Sequence, residues 1–281
     1  MGGIEAVIKP LFMWAGGKTK LIKKYEPIFE NIGCSTYVEP FFGGGAVFCW
    51  KHADADNLII NDLNSELMGV YRAISDDHDY FIKSIKDELS VYFEQTDRKQ
   101  YYYNLRKSYW QDPNPGTLFV LMKLGFNGVW QTCKASNGLY GTPAGLLNHK
   151  NIDQIVDFDN IREWSVVLGN TRIESKSYQD LTIQPDGALI YLDPPYRGSF
   201  ATYGSAFSDN DQKELTEWAS SMASSGATVL LANRCTNDTF FETLLPNATF
   251  NYFDVTYTAG RRKVTKDGYM PVKAREFLAK I

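Results

Sequence analysis

The sequence predicts an α/β fold, a doubly wound sheet interrupted by one mostly helical insert. Short apolar runs alternate with segments of helical spacing, both in the first 75 residues and after about residue 155. Those runs are nearly continuous in hydrophobicity, as expected of strands covered on both faces. Between about residues 76 and 154 the alternation stops and helix-like segments follow one another directly. The 281 residues allow one or two domains and a full core without disulfide or metal staples.

Taken in order, residues 19–29 read as a helix, 36–38 as the first strand, 46–52 as a helix, 57–60 as the next strand and 65–74 as a helix. The insert reads as helices over 80–93, 98–109 and 118–124. An extended stretch, 129–145, follows, in which Asn137-Gly138 has the residue types of a two-residue hairpin turn. Beyond it, 166–168 is a weak third strand, 188–192 and 228–232 are strong ones and 251–258 is a weak last one. Residues 209–224 form a helix behind a Ser208-Asp209 cap. The division is residues 1–75 and 155–281 as one domain and 76–154 as the insert.

Composition narrows the function classes. No run approaches the roughly 18 consecutive apolar residues of a membrane span. The opening Met1-Gly2-Gly3-Ile4-Glu5-Ala6 has neither a signal-peptide core nor the Ser or Thr of a myristoylation signal. The expectation is a soluble, cytoplasmic monomer without membrane contact. Cys34, Cys49, Cys133 and Cys235 lie far apart and form no C-x-x-C pair, so they read as buried reduced thiols and no metal is expected. A net charge of −4 argues against non-specific coating of nucleic acid. Yet from 98 to 150 the basic residues Arg98, Lys99, Arg106, Lys107, Lys123, Lys134 and Lys150 face a single acid, Asp112, a local net of +6.

Four motifs carry chemistry. Glu39-Pro40-Phe41-Phe42-Gly43-Gly44-Gly45 joins a strand to a helix, where an open sheet binds nucleotide-like ligands and glycines let a ligand approach the backbone. Asn61-Asp62 ends the next strand and sets a carboxylate about twenty residues further on, where ribose hydroxyls need an acceptor. Trp14-Ala15-Gly16-Gly17-Lys18-Thr19 lacks the first glycine of a phosphate-binding loop, since Phe12 stands there. It keeps an aromatic residue, a flexible turn and a cation at a helix start, suited to the carboxylate of a small zwitterion. Asp193-Pro194-Pro195-Tyr196 follows the strand at 188–192; paired prolines fix the Asp193 carboxylate and the Pro194 carbonyl, two acceptors suited to an exocyclic amine, and Tyr196 offers a ring to stack on.

These blocks, in this order, make the chain resemble the Dam-type DNA adenine N6-methyltransferases. Gly125-Phe126-Asn127-Gly128 and Gly141-Thr142-Pro143 look like that family's target-recognition hairpin. The resemblance implies a Rossmann-like methyltransferase sheet with an inserted, mostly helical target-recognition domain, 76–154, and a catalytic domain formed by 1–75 and 155–281. It implies S-adenosylmethionine as cofactor. Trp14 and Lys18 would lie near its methionine end, Glu39, Phe41, Gly43 and Gly45 beneath it, Asp62 on its ribose, Tyr178 or Asp180 at its adenine, and Asp193 between cofactor and base. Asp193, Pro194, Pro195 and Tyr196 would hold an adenine rotated out of double-stranded DNA.

GATC-specific members of that family place an arginine four residues after the hairpin asparagine and a lysine just before the tryptophan. Here those positions are Gln131 and Met13. Arginine and lysine read guanine, whereas glutamine and asparagine suit adenine. The expectation is a short, adenine-containing site other than GATC, read by Asn127, Gln131 and Lys134 with Tyr140 and Pro143 shaping the contact. The basic segment and Arg261-Arg262-Lys263 with Lys266 would hold phosphates. Two readings compete: adenine methylation of RNA, and a catalytically silent nucleic-acid-binding protein on the same fold.

Overall fold

Apolar β-branched and leucine-rich runs build the sheet, and the capped, amphipathic segments between them cover its faces. A computed structural model describes residues 8–30, 32–198, 207–236, 238–257, 263–265, 268–270 and 272–281. In chain order its elements begin with α1 (Ile22–Phe29), β1 (Thr36–Glu39), α2 (Phe48–Lys51), β2 (Asn57–Asn61), α3 (Ser65–Glu94), α4 (Arg98–Gln111), α5 (Pro115–Leu124) and α6 (Phe158–Leu168). They continue with β3 (Thr171–Glu174), β4 (Ala188–Leu192), α7 (Asp209–Ser224), β5 (Thr228–Arg234), α8 (Phe240–Leu244), β6 (Thr249–Tyr257), β7 (Lys263–Thr265), β8 (Gly268–Met270) and β9 (Val272–Lys280).

The described strands form a seven-stranded sheet in the order β3-β2-β1-β4-β5-β9-β6, with β7 and β8 as a separate ribbon. The first five are parallel, and β9 runs antiparallel to both β5 and β6. Alternate residues feed two cores. Tyr37, Ile60, Tyr191 and Leu230 face Tyr25, Phe29, Tyr71 and Trp164, while Val38, Ile190, Leu231 and Phe277 face Leu215, Ala219 and Phe241. This is the expected α/β doubly wound sheet. Strand order reverses between β1 and β4, which makes their carboxyl ends the natural crevice for a ligand.

Residues 166–168, expected as a strand, are instead the last turn of α6. Asp157 caps that helix by accepting from the Asn160 N–H, and Ile161, Trp164 and Leu168 recur at helical spacing on its buried side. The third parallel strand is Thr171–Glu174, whose half-exposed residues give no apolar run. β9 was not anticipated either. The separate helices expected over 65–74 and 80–93 are one element, α3, broken at Asp77 (φ −156°, ψ 86°), whose carboxylate caps the second half through the Tyr80 N–H at 2.9 Å.

The hairpin expectation holds at its turn and fails in its ladder. Asn137 (φ 49°, ψ 40°) and Gly138 (φ 90°) have left-handed backbones, and the Leu139 N–H donates to the Ser136 carbonyl at 3.0 Å, as in a type I′ turn. A 3₁₀ turn, Lys134–Ser136, takes up the residues that would extend the pairing, so only isolated antiparallel bridges remain, Thr132 with Tyr140 and Gly125 with Ala144. Buried residues of the stretch 76–154, among them Tyr102, Phe119, Leu121, Trp130 and Tyr140, continue the core on one face of the sheet. The four cysteines are free and half-buried rather than fully buried as expected. No described helix is long and apolar enough to cross a membrane.

Candidate active site

Parallel pairing of β2, β1 and β4 brings Asn61-Asp62, the turn after Glu39 and Asp193–Tyr196 to one edge of the sheet. Asn61 ties the strand ends together: its amide donates to the carbonyls of Pro40 (2.9 Å) and Lys176 (3.0 Å) and accepts from the Lys176 N–H. Asp62 accepts from the N–H groups of Gly43 and Asn64, each at 2.9 Å, and burial pushes its pKa up. The glycines answer first to the chain's own rings. A Cβ on Gly43 would lie 2.6 Å from the Trp14 indole nitrogen, one on Gly44 2.7 Å from Trp14 Cβ, and one on Gly45 2.6 Å from the Phe42 ring. Trp14 and Phe42 thus fill the space on the Cβ side of these glycines.

Lys18 is only 4% exposed. Its Nζ donates to Asp193 Oδ2 at 2.7 Å and to the Gly16 carbonyl at 2.6 Å, and it sits 4.8 Å from the centre of the Tyr196 ring. Desolvation raises the Asp193 pKa; Lys18 and the Tyr196 hydroxyl oppose that, while Glu276 adds to it. Glu39, beneath, accepts from the Tyr37 hydroxyl at 2.7 Å, and burial lifts its pKa to about 8. The Tyr196 hydroxyl donates to Glu276 of β9 at 2.8 Å. Lys18 pairs with Asp193, and Glu39 feels both charges.

The turn is fixed from behind. The buried Gln212 donates to the Pro195 carbonyl at 2.9 Å and accepts from Asn233, whose own oxygen takes the Arg197 N–H at 3.1 Å. The Arg197 guanidinium pairs with Asp209 through two hydrogen bonds, reaches Thr236 and Asp238, and lies 4.0 Å over the Phe240 ring. Tyr178 and Asp180 form a 3₁₀ turn after β3. Tyr178 is buried between Phe41 and Trp218, with ring centres 5.4 Å from each, and its pKa is pushed up to about 12, chiefly by burial. Asp180 is exposed, and Phe41 is the half-exposed ring of that wall.

In the insert, Asn127 (φ 52°) is exposed and the next residue docks the loop, because a Cβ on Gly128 would fall 2.1 Å from the Met13 carbonyl oxygen. Met13 itself is 71% exposed, beside this loop. Thr142 Oγ1 donates to the Val129 carbonyl at 2.7 Å and accepts from the Gln131 N–H at 3.2 Å; the Pro143 carbonyl takes the Phe126 N–H. Gln131, Lys134 and Pro143 are exposed. Tyr140, expected to shape the contact, lies inside the fold. It is 2% exposed, its hydroxyl reaches the Leu121 carbonyl, its ring packs on Trp130, and its N–H donates to Glu66. Arg261 and Arg262 lie outside the described residues, as does Lys266.

The +6 segment is only partly a surface charge. Arg106 donates inward to the Gly141 and Thr142 carbonyls, Arg98 to the His149 carbonyl and Lys123 to the Leu11 carbonyl. Lys99, Lys107, Lys134 and Lys150 remain exposed. Glu66, Arg197, Gln212, Asn233 and Glu276 were not singled out from the sequence. Each acts through partners distant in the chain, and only Glu276, an acid among apolar residues near 277–279, carries even a faint local signal.

Against known proteins, the description "D12 class N6 adenine-specific DNA methyltransferase" matches residues 14–259. Type II methyltransferase M.MjaIII of Methanocaldococcus jannaschii is 29% identical, over 83% of this chain and 86% of its own. Type II methyltransferase M.CviBI of Paramecium bursaria Chlorella virus NC1A is 28% identical, over 70% and 72%. A DNA adenine methylase of Salmonella typhi is 27% identical, over 95% and 92%. The match spans both the strand-end turns and the loop that docks on Met13, and the chain belongs to the D12 class of N6 adenine-specific DNA methyltransferases.

Proposed function

We propose that this enzyme uses S-adenosylmethionine to methylate N6 of an adenine turned out of duplex DNA, within a short site other than GATC. The observation that carries the reading is the juxtaposition at the strand-order reversal: Asp193 and Tyr196 stand against Lys18, which begins beside Trp14 and the glycine turn. The residues fit the cofactor. Asp62 and Asp193, desolvated at the same edge of the sheet, would have their charged forms favoured by a ligand that bears a sulfonium and an ammonium, and Lys18 would meet its carboxylate. Trp14, Lys18, Glu39, Phe41, Asp62 and the Gly43–Gly45 backbone would hold it, with Tyr178 supporting Phe41 and Asp180 at the open rim.

When bound, the cofactor would supply an electrophilic methyl group, its sulfur–methyl bond breaking as the new bond forms and the sulfur leaving as a neutral thioether. The Asp193 carboxylate and the Pro194 carbonyl accept the two N6 hydrogens and draw the nitrogen toward tetrahedral geometry, which frees its lone pair from the ring. Tyr196 stacks on the base and offsets part of its unstacking cost, by about 1–3 kcal/mol. The proton released as the C–N bond forms passes to Asp193, whose raised pKa favours acceptance. The unit 76–154 reads the duplex, with exposed Asn127, Gln131 and Lys134 reaching base edges, Pro143 and the buried Tyr140 shaping the loop, and Arg261 and Arg262 holding phosphate.

The test is methylation of a DNA of known sequence by the purified protein with S-adenosylmethionine, mapping N6-methyladenine at single-base resolution beside Asp193→Ala. The expected result is modification in one shared context, reduced at least about a hundredfold by the substitution. GATC as the sole site would overturn the specificity reading. Modification of RNA alone would overturn the duplex reading.

A further inference from the structure

We propose that Glu276 is a positioning residue for methyl transfer, holding the Tyr196 ring in the orientation that receives the target base. The inference rests on the assignment of Asp193–Tyr196 as the base-binding turn. Glu276 is 4% exposed, in the middle of a strand whose next three residues, Phe277, Leu278 and Ala279, are buried and apolar. Register sets it opposite Arg234 of β5 and Phe253 of β6, inside the sheet rather than at an edge. A carboxylate in such a place is costly unless it is well hydrogen-bonded. Its Oε2 accepts from the Tyr196 hydroxyl at 2.8 Å, across 80 residues of sequence.

That bond restrains the Tyr196 side chain, which the prolines do not act on; the same hydroxyl also lies against the Asp193 carboxyl. Pro194 and Pro195 settle the backbone, Gln212 and Asn233 brace it, and Arg197 is clamped by Asp209, Thr236 and Asp238. None of these acts on the torsions that aim the Tyr196 ring. Glu276 restrains the ring at its far end, and the Lys18 ammonium covers it at 4.8 Å. A ring held at its hydroxyl and covered on one face by a cation presents its other face to the base as a preset surface, and small misplacements of such a surface are costly in rate.

The experiment compares Glu276→Ala, Glu276→Gln, Tyr196→Phe and the Tyr196→Phe/Glu276→Ala double variant. It measures single-turnover methylation of a duplex carrying the mapped site, with cofactor affinity by calorimetry and thermal midpoints alongside. Glu276→Ala is expected to slow the single turnover about 10- to 100-fold, with S-adenosylmethionine affinity within about threefold. Glu276→Gln, which keeps an acceptor oxygen, should retain at least about a third of the rate. In the Tyr196→Phe background Glu276→Ala should cost less than about a further threefold, because the bond is already gone.

Full activity of Glu276→Ala, an undiminished effect in the Tyr196→Phe background, or Glu276→Gln as slow as Glu276→Ala would each overturn the proposal. Should Glu276→Ala not fold, Tyr196→Phe must reproduce the loss while Glu276→Gln does not, and a fully active Tyr196→Phe would overturn it. The underlying reading fails differently, through a wild-type protein that methylates no adenine or an Asp193→Ala variant at full rate.

Discussion

Gly44 has room for a hydrogen and little else, because Trp14 lies where its side chain would be. Gly44→Ala should therefore destabilise the protein by about 1–3 kcal/mol and weaken cofactor binding, measured by urea unfolding and calorimetry. Glu39 gives a prediction of opposite character. Burial raises its folded pKa to about 8 from an ordinary carboxylate value of 4.5, so the folded state binds the extra proton between these pH values. Stability from this group is present at low pH and is lost as pH rises through that window, with a slope of at most about 1.4 kcal/mol per pH unit. Glu39→Gln should flatten that decline in unfolding experiments between pH 5 and 8; an unchanged slope would show that Glu39 ionises normally. At this scale the sequence named Asp193, Lys18 and Trp14 through their motifs. It carried no local signal for Glu66 and only a faint one for Glu276, whose partners Tyr140 and Tyr196 lie far along the chain.

Elements were legible where a local rule and the tertiary fold agree. Helix α7 has the bounds its Ser208-Asp209 start signals, and the structure shows Ser208 and Asp211 as a reciprocal capping box, with side chain to backbone bonds in both directions. β4 was read to the residue because five consecutive buried positions leave no other choice. The misread stretch 166–168 shows the opposite case, a short apolar run whose period is undecidable until Asp157 is seen to cap a helix. β9 escaped because Lys273, Arg275, Glu276 and Lys280 surround its apolar residues. The insert loop offers a test at this scale. Gly128→Ala would drive a Cβ into the Met13 carbonyl, so the loop should lose its seat on the N-terminal segment. The expected outcome is at least about a tenfold loss in DNA affinity, or about 1.4 kcal/mol, with cofactor affinity little changed.

Across the whole molecule, charge is partitioned by use. Arg98, Arg106 and Lys123 of the basic segment hold carbonyl groups inside the fold, which leaves Lys99, Lys107, Lys134 and Lys150 at the surface. Replacing any one of those four that meets a phosphate should lower the slope of log affinity against log salt by about 0.9. Replacing Arg106 should instead lower the unfolding midpoint. A slope unaltered by all four substitutions would move the DNA footprint elsewhere.

The insertion of β9 between β5 and β6 also has a consequence for synthesis on the ribosome. Five parallel strands can assemble early, but β5 then presents a bare edge, and β6 has no neighbour until residues 272–280 emerge. The same late strand brings Glu276 to Tyr196. A nascent chain halted before residue 272 would carry all four sequence motifs and still lack the strand that closes the sheet around them. Such a chain would be prone to edge pairing with its neighbours on the polysome.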